Sequence, residues 1–315
     1  MQYRNLGRCG LKVSEISLGS YFSYGSVVDK NIAFNTIKTA YDLGVNFFDT
    51  ANAYDAGKAE EILSQALCNY DRSSYVLATK VFFPMGDGPN DRGLSRKHIM
   101  EQLHSSLKRM NLDYVDIYYC HRYDSSTPPE ETLRAFDDLI RHGKVLYVGV
   151  SEWSAAQIES AMRIADRYLL DRIVVNQPQY SIFNRSIEDD IMEKCKEHGI
   201  GQVVFQALAQ GMLTGKYRSL TDFPEGSRIT NDKINMHIKR YFTPQTIEQV
   251  EKLDALSKEL DISLAQLALA WVLRKDEVAS AVIGASKPEQ VEENVKAVNI
   301  KIPEGILTQI DELLK

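Results

Sequence analysis

Ala40-Tyr41-Asp42-Leu43-Gly44-Val45-Asn46-Phe47-Phe48-Asp49 changes character at its glycine. The residues before Gly44 end an amphipathic helical pattern, and those after it form a short apolar run that stops on a carboxylate. Glycine suits the left-handed position that closes a helix. A brief run of β-branched or aromatic residues reads as a strand buried on both faces. The same junction recurs where Ile140-Arg141-His142-Gly143 leads into Val145-Leu146-Tyr147-Val148-Gly149-Val150, and where Glu197-His198-Gly199 leads into Gly201-Gln202-Val203-Val204-Phe205.

Working outward from these junctions, eight strands are expected near Glu15–Gly19, Asn46–Asp49, Tyr75–Lys80, Val115–His121, Val145–Ser151, Ile173–Gln177, Gln202–Phe205 and Ala281–Ile283. Helical patterns fill the gaps, among them Arg96–Met110, Pro129–His142, Ala155–Leu169 and Ser186–His198. Strand–helix alternation argues for a parallel sheet. Eight repeats over roughly 280 residues argue for closure into a (β/α)8 TIM barrel. An open doubly wound sheet is the alternative, weakened by the lack of a G-x-G-x-x-G after the first strand. Tyr3-Arg4-Asn5-Leu6-Gly7 and Leu11-Lys12-Val13 flank a turn and are expected to form an N-terminal β-hairpin plugging one barrel end. A C-terminal extra helix is expected too. The long Gly- and Pro-containing stretch from Ala207 to Thr243 is expected to be a lid over cofactor or substrate. No linker interrupts the pattern, so residues 1–315 are expected to make one domain.

Composition narrows the classes of function. The 315 residues are 44% apolar and 25% charged, with net charge −6, as in ordinary globular proteins. No basic tract suggests nucleic acid, and no run nears the roughly 18 apolar residues a membrane span needs. The N-terminus lacks a signal-peptide pattern. Cys9, Cys68, Cys120 and Cys195 are widely spaced, with no C-x-x-C to hold zinc or form a redox dithiol. Four reduced thiols fit a cytoplasmic enzyme without a metal, and Cys120 reads as a packed thiol.

In a barrel of this kind chemistry belongs at the C-terminal strand ends, where Asp49, Lys80, His121, Ser151, Gln177 and Phe205 fall, with Tyr54 five residues beyond Asp49. Asp49, Tyr54, Lys80 and His121 form a coherent acid–base set. A carbonyl that receives hydride at carbon needs a proton at oxygen, and a phenol can give it. A free phenol has a pKa near 10, which a neighbouring ammonium such as Lys80 is expected to lower. Asp49 would hold that ammonium, and His121 would orient the substrate oxygen. Each residue alone also has an ordinary structural reading: a turn cap, a surface lysine, a loop aromatic, a satisfied histidine.

Asp49-Thr50-Ala51-Asn52-Ala53-Tyr54 with Gly57-Lys58-Ala59-Glu60, Ala78-Thr79-Lys80, and Asp116-Ile117-Tyr118-Tyr119-Cys120-His121-Arg122 resemble the aldo-keto reductase signature, from about Leu6 to Ala297. The resemblance implies a (β/α)8 barrel, NADPH as cofactor, and the tetrad Asp49, Tyr54, Lys80 and His121. It implies that Ser151 and Gln177 bind the nicotinamide amide and that Phe205 stacks on the ring. Gly19, Ser20, Tyr21 and Asp49 would line the nicotinamide end. Leu208 and Lys216 would touch the pyrophosphate, and Gln206, Ala207 and Gly211 would also bind the cofactor. Gly284, Ser286, Lys287, Gln290, Glu293 and Asn294 would clamp the adenosine, with Ser286 and Lys287 at a helix start that suits an anion. Arg228, like Lys216 and Lys287, is a candidate cation for the 2′-phosphate. Glu152 stands where many members carry asparagine, and Gln290 where many carry a basic residue.

Thr127–Thr132, Val174–Asn184 and Leu213–Tyr217 look like the subfamily of potassium-channel β subunits and their bacterial relatives. That subfamily includes tetramers, so a homo-oligomer is an open reading. Channel subunits typically carry asparagine where this chain has His121, which argues for an enzyme reducing a small carbonyl substrate. An NADPH-holding regulatory subunit with little turnover is the alternative. An aldolase or isomerase using Lys80 as a Schiff base is a third. The substrate pocket is expected among the loops at 21–27, 81–92, 122–124 and 212–241, with Tyr21, Phe22, Tyr24, Phe82, Phe83 and Trp153 as candidate aromatic walls.

Overall fold

The computed structural model describes residues 1–21, 24, 28–232 and 234–314. β1 (Tyr3–Asn5) and β2 (Lys12–Ser14) pair antiparallel as the expected hairpin. The barrel strands are β3 (Ile16–Gly19), β4 (Phe47–Asp49), β5 (Val76–Val81), β6 (Val115–Cys120), β7 (Val145–Ser151), β8 (Ile173–Gln177), β9 (Gly201–Phe205) and β10 (Val278–Gly284). They close in the order β10-β3-β4-β5-β6-β7-β8-β9, every pair parallel. The doubly wound alternative is thereby excluded. β10 begins earlier than its sequence suggests, because the small residues Ala279 and Ser280 disguise it; Ser280 Oγ donates to Ser17 Oγ at 3.0 Å.

The helices are α1 (Lys30–Asp42), α2 (Lys58–Leu67), α3 (Arg96–Met110), α4 (Pro129–Arg141), α5 (Ala155–Tyr168), α6 (Ile191–His198), α7 (Pro244–Glu259), α8 (Leu264–Leu273), α9 (Pro288–Asn294) and α10 (Glu304–Leu313). Gly44, Gly143 and Gly199 have φ of 87°, 65° and 74°, the left-handed geometry read from the junctions. The helix expected over 186–198 is two pieces, a 3-10 turn at Ser186–Glu188 and then α6. α10 is the expected extra helix, but α7 is a second one, inserted before the barrel helix α8; Gln249 on α7 donates to the Leu313 carbonyl on α10 at 3.1 Å. No described helix is long and apolar enough to cross a membrane.

Strand side chains alternate between faces. One set faces the helices; the other fills the barrel. Phe47, Val76, Ala78, Ile117, Tyr119, Val175 and Val203 form an interior cluster with Leu6 and Val13, so the hairpin seals the N-terminal end. Tyr119 fits inside because Gly149 has no side chain: a Cβ there would fall 2.4 Å from the Tyr119 ring. Two residues further along the same inner face come Asp49, Lys80, His121, Ser151, Gln177 and Phe205, at the opposite, open end. The apolar cluster is therefore the floor on which polar groups stand.

Candidate active site

After Asp49 the chain rides across β5. Thr50 N donates to Ala78 O at 2.9 Å and Asn52 N to Lys80 O at 3.3 Å. A 3-10 turn, Tyr54–Gly57, then carries three consecutive left-handed residues: Asp55 (φ 47°), Ala56 (φ 52°) and Gly57 (φ 94°). That conformation costs a non-glycine residue about 1–2 kcal/mol, so something must hold it. Glu60, with no exposed surface, accepts from Thr79 Oγ1 at 2.6 Å and from Arg109 Nε at 2.7 Å. Arg109 passes close over Gly57, where a Cβ would lie 2.7 Å from its Cδ. Gly57, Glu60 and Arg109 thus tie the Tyr54 turn to β5 and α3. Sequence reading quoted the first two for their resemblance and missed Arg109 altogether.

The four expected catalytic side chains meet. Lys80 Nζ is paired with Asp49 Oδ1 and donates to Thr50 O at 2.8 Å and to Tyr54 Oη at 3.3 Å. Tyr54 Oη stands 3.5 Å from His121 Nε2. Gln177 Nε2 donates to Asp49 Oδ2 at 2.8 Å, and Ser151 Oγ to Gln177 O at 2.8 Å. Lys80, Asp49 and His121 are buried and Tyr54 is half-buried. Burying an ion pair costs several kcal/mol per ion before the pairing offsets it. A buried pair is therefore weak evidence of a stabilising role, and perturbed titratable groups gathered at a barrel mouth mark a candidate functional site.

Burial dominates the site's electrostatics. The Tyr54 phenol is held well above 10, first by desolvation and then by the Asp49 carboxylate, with Arg122 opposing. The expected lowering by Lys80 does not appear, because the Lys80 charge is matched by Asp49 at contact. The Lys80 ammonium is itself pushed down by burial, against the pull of Asp49. His121 is held well below 6.5 by burial, Lys80 and Arg122, so it is a neutral imidazole at pH 7. Its Nδ1 is buried with no protein partner.

Among the candidate aromatic walls, Tyr21 packs on Tyr54 with ring centroids 4.8 Å apart, and Phe83 meets His121 edge-on at 4.8 Å. Phe82 packs edge-on against Phe83 at 5.4 Å. Tyr24 (3% exposed) and Trp153 (2% exposed) belong to the core instead, the latter against Tyr123. Phe22, like 23 and 25–27, lies outside the described residues. Cys120 faces the helix layer, away from His121, and burial pushes its thiol up.

The expected cofactor residues trace an arc over β9, β10 and β3. Gly19 pairs with Asp49 and with Gly284, and a Cβ there would lie 2.7 Å from Val282 Cγ1, so any larger residue would push Val282 aside. Ser20 Oγ donates to Thr50 Oγ1 at 2.8 Å. Phe205 is half-buried at the inner mouth, and Gln206, Gln210 and Gly211 take positive φ beside Ala207 and Leu208. Arg228, half-buried, donates to Gln210 Oε1 next to the partnerless buried hydroxyl of Ser227. Ser286 N donates to Gln290 Oε1 at 2.8 Å. Lys287 precedes α9, Glu293 pairs with Lys296 and Asn294 is buried. Among the described residues no carboxylate pairs with Lys216, Arg228 or Lys287. Three uncompensated cations, an orphaned hydroxyl and a glycine-lined mouth fit a polyanionic dinucleotide. Glu152, at φ 57°, accepts from Gln179 N at 2.7 Å. Arg240 joins Gln179 to Gln206 at 3.1 and 2.9 Å, so the chain around Arg240 is docked on the mouth.

Comparison with known proteins finds that the aldo/keto reductase family model matches residues 15–315. A rice (Oryza sativa subsp. japonica) protein named "Probable voltage-gated potassium channel subunit beta" is 44% identical over 303 residues, covering 95% of this chain and 92% of its own. An Arabidopsis thaliana protein of the same name matches equally. A Schizosaccharomyces pombe protein with a similarly worded name is 44% identical over 322 residues, covering 99% and 93%.

Proposed function

The chain belongs to the aldo/keto reductase family, and from that premise we propose that it reduces aldehydes or ketones to alcohols with NADPH, Tyr54 acting as the proton donor. The observation that carries this reading is the contact of Tyr54 Oη with both Lys80 Nζ at 3.3 Å and His121 Nε2 at 3.5 Å. Ser151, Gln177, Phe205, Lys216, Arg228, Ser286 and Lys287 would hold the dinucleotide, which supplies a hydride to the carbonyl carbon.

The rest falls to the protein. The substrate oxygen sits between Tyr54 Oη and His121 Nε2, where a neutral imidazole and a phenol can both donate to it. Tyr54 gives its proton as negative charge grows on that oxygen. The phenolate left behind can accept a hydrogen bond from Lys80 Nζ, 3.3 Å away, while Arg122 supplies the positive charge that favours it. Such a contact strengthens as charge grows on the oxygen. Asp49 and Gln177 keep Lys80 aimed. A phenol held above its ordinary value is fully protonated at pH 7, the form that reduction requires.

The names of the relatives, channel β subunits, favour a second reading as an accessory subunit, which here would hold NADPH with little turnover; His121 weighs against it. Transfer of label decides between them. With NADPH deuterated at the transferred position and 4-nitrobenzaldehyde, the alcohol is expected to carry one deuterium at its carbinol carbon. Absence of labelled alcohol would rule out the reductase.

A further inference from the structure

Arg122 follows His121 at the mouth end of β6 and is half-buried. It donates to the His121 carbonyl. Its guanidinium lies 5.5 Å from the centroid of Phe83, the ring that meets His121 edge-on. Among the described residues no carboxylate pairs with it. A partly buried cation with no counter-ion is costly unless a ligand brings the anion. Its charge also acts on Tyr54, Tyr21, Lys80 and His121, so it looks onto the reacting centre itself.

The cofactor's phosphates are not that anion. Lys216, Arg228 and Lys287 follow β9 and β10, and in the barrel order β6 stands directly across from β10. The Arg122 side of the mouth is where a substrate's body must lie once its carbonyl oxygen is between Tyr54 and His121. Next to Arg122, Phe83 walls a cavity of about 520 Å³, large enough for a small organic molecule, which Phe82, the exposed Arg92 and Asp124 also line. The Asp124 carboxylate is taken up by Leu94 N, Ser126 and Thr127. Apolar rings with Arg122 against Phe83 and Arg92 in the cavity wall, neither paired with a carboxylate among the described residues, suit a carbonyl compound with an apolar body and an acidic end.

We propose that Arg122 is a specificity-determining residue that pairs with an anionic substituent, a carboxylate or a phosphate, on the carbonyl substrate. This rests on the reductase reading and narrows its substrate class. Three aldehydes of similar shape test it at pH 7: 4-carboxybenzaldehyde, its neutral methyl ester, and 4-formylphenyl phosphate. A charge-assisted hydrogen bond is worth about 1.5–3 kcal/mol, so kcat/KM for at least one anion should exceed that of the ester by about 10–100-fold. Preference for one anion over the other identifies which group the site reads. The advantage should reside in KM, collapse in Arg122→Gln and largely return in Arg122→Lys. Equal turnover of all three, or an advantage untouched in Arg122→Gln, would overturn this inference and leave the reductase standing. No turnover of any of them with NADPH would overturn both.

Discussion

Gln177 Nε2 donates to Asp49 Oδ2 at 2.8 Å from 128 positions away in the chain, so the Asp49 carboxylate is held on one oxygen by Lys80 and on the other by an amide. The residue expected at the nicotinamide amide is thus already part of the acid–base cluster. Gln177→Met would leave a buried carboxylate oxygen without its donor. We expect a loss of about 1–3 kcal/mol in denaturant unfolding; an unchanged midpoint would show that the contact carries no weight.

Lys80→Met should be costlier, because it strands a charged, buried Asp49. A loss of about 3–5 kcal/mol is expected when one partner of a buried pair is removed. The double variant Asp49→Asn with Lys80→Met should recover most of that stability while remaining inactive. If the double variant is no more stable than the single one, the ion pair is not what the site pays to keep.

Gly57 and Arg109 offer a test remote from the reacting atoms. An alanine at 57 would keep φ of 94° only under strain and would displace Arg109. Gly57→Ala is expected to cost about 1–3 kcal/mol and to lower kcat by misaiming Tyr54. Unaltered melting temperature and kcat would show that the left-handed turn is incidental.

The barrel was legible because three junctions advertise themselves locally, with a helix, a left-handed glycine and an apolar run at Gly44, Gly143 and Gly199; α3 and α5 close on Asn111 and Leu169 instead. That Asp49, Tyr54, Lys80 and His121 meet was legible because the strand ends put Asp49, Lys80 and His121 at matching inner positions, with Tyr54 in the turn beyond Asp49. What escaped depends on groups distant in sequence. Arg109 reaches Glu60 across 49 positions, and nothing near either residue announces the pair. The direction of the Tyr54 shift escaped for the same reason. It is set by how much water the folded mouth excludes, and by Asp49 matching the Lys80 charge. β10 was shortened because Ala279 and Ser280 are too small to look like a strand.

His121 gives a pH signature. Its folded value is depressed well below 6.5, so near pH 6.5 the unfolded chain takes up a proton that the folded one refuses. Its contribution to stability is fully present above that value and is lost as pH falls below it, down to the folded value. Wild type should therefore lose more stability than His121→Asn between pH 7 and pH 5, by denaturant titration at each pH. Parallel losses would mean that His121 is not buried neutral.

The role of the Tyr54 phenol is tested most directly by Tyr54→Phe in single-turnover reduction of 4-nitrobenzaldehyde, with NADPH binding followed separately by quenching of protein fluorescence. General acid catalysis contributes about 10²–10⁴-fold, so the chemical rate should fall by that factor while the cofactor still quenches. A variant that binds NADPH and reduces the aldehyde at the wild-type rate would contradict the account.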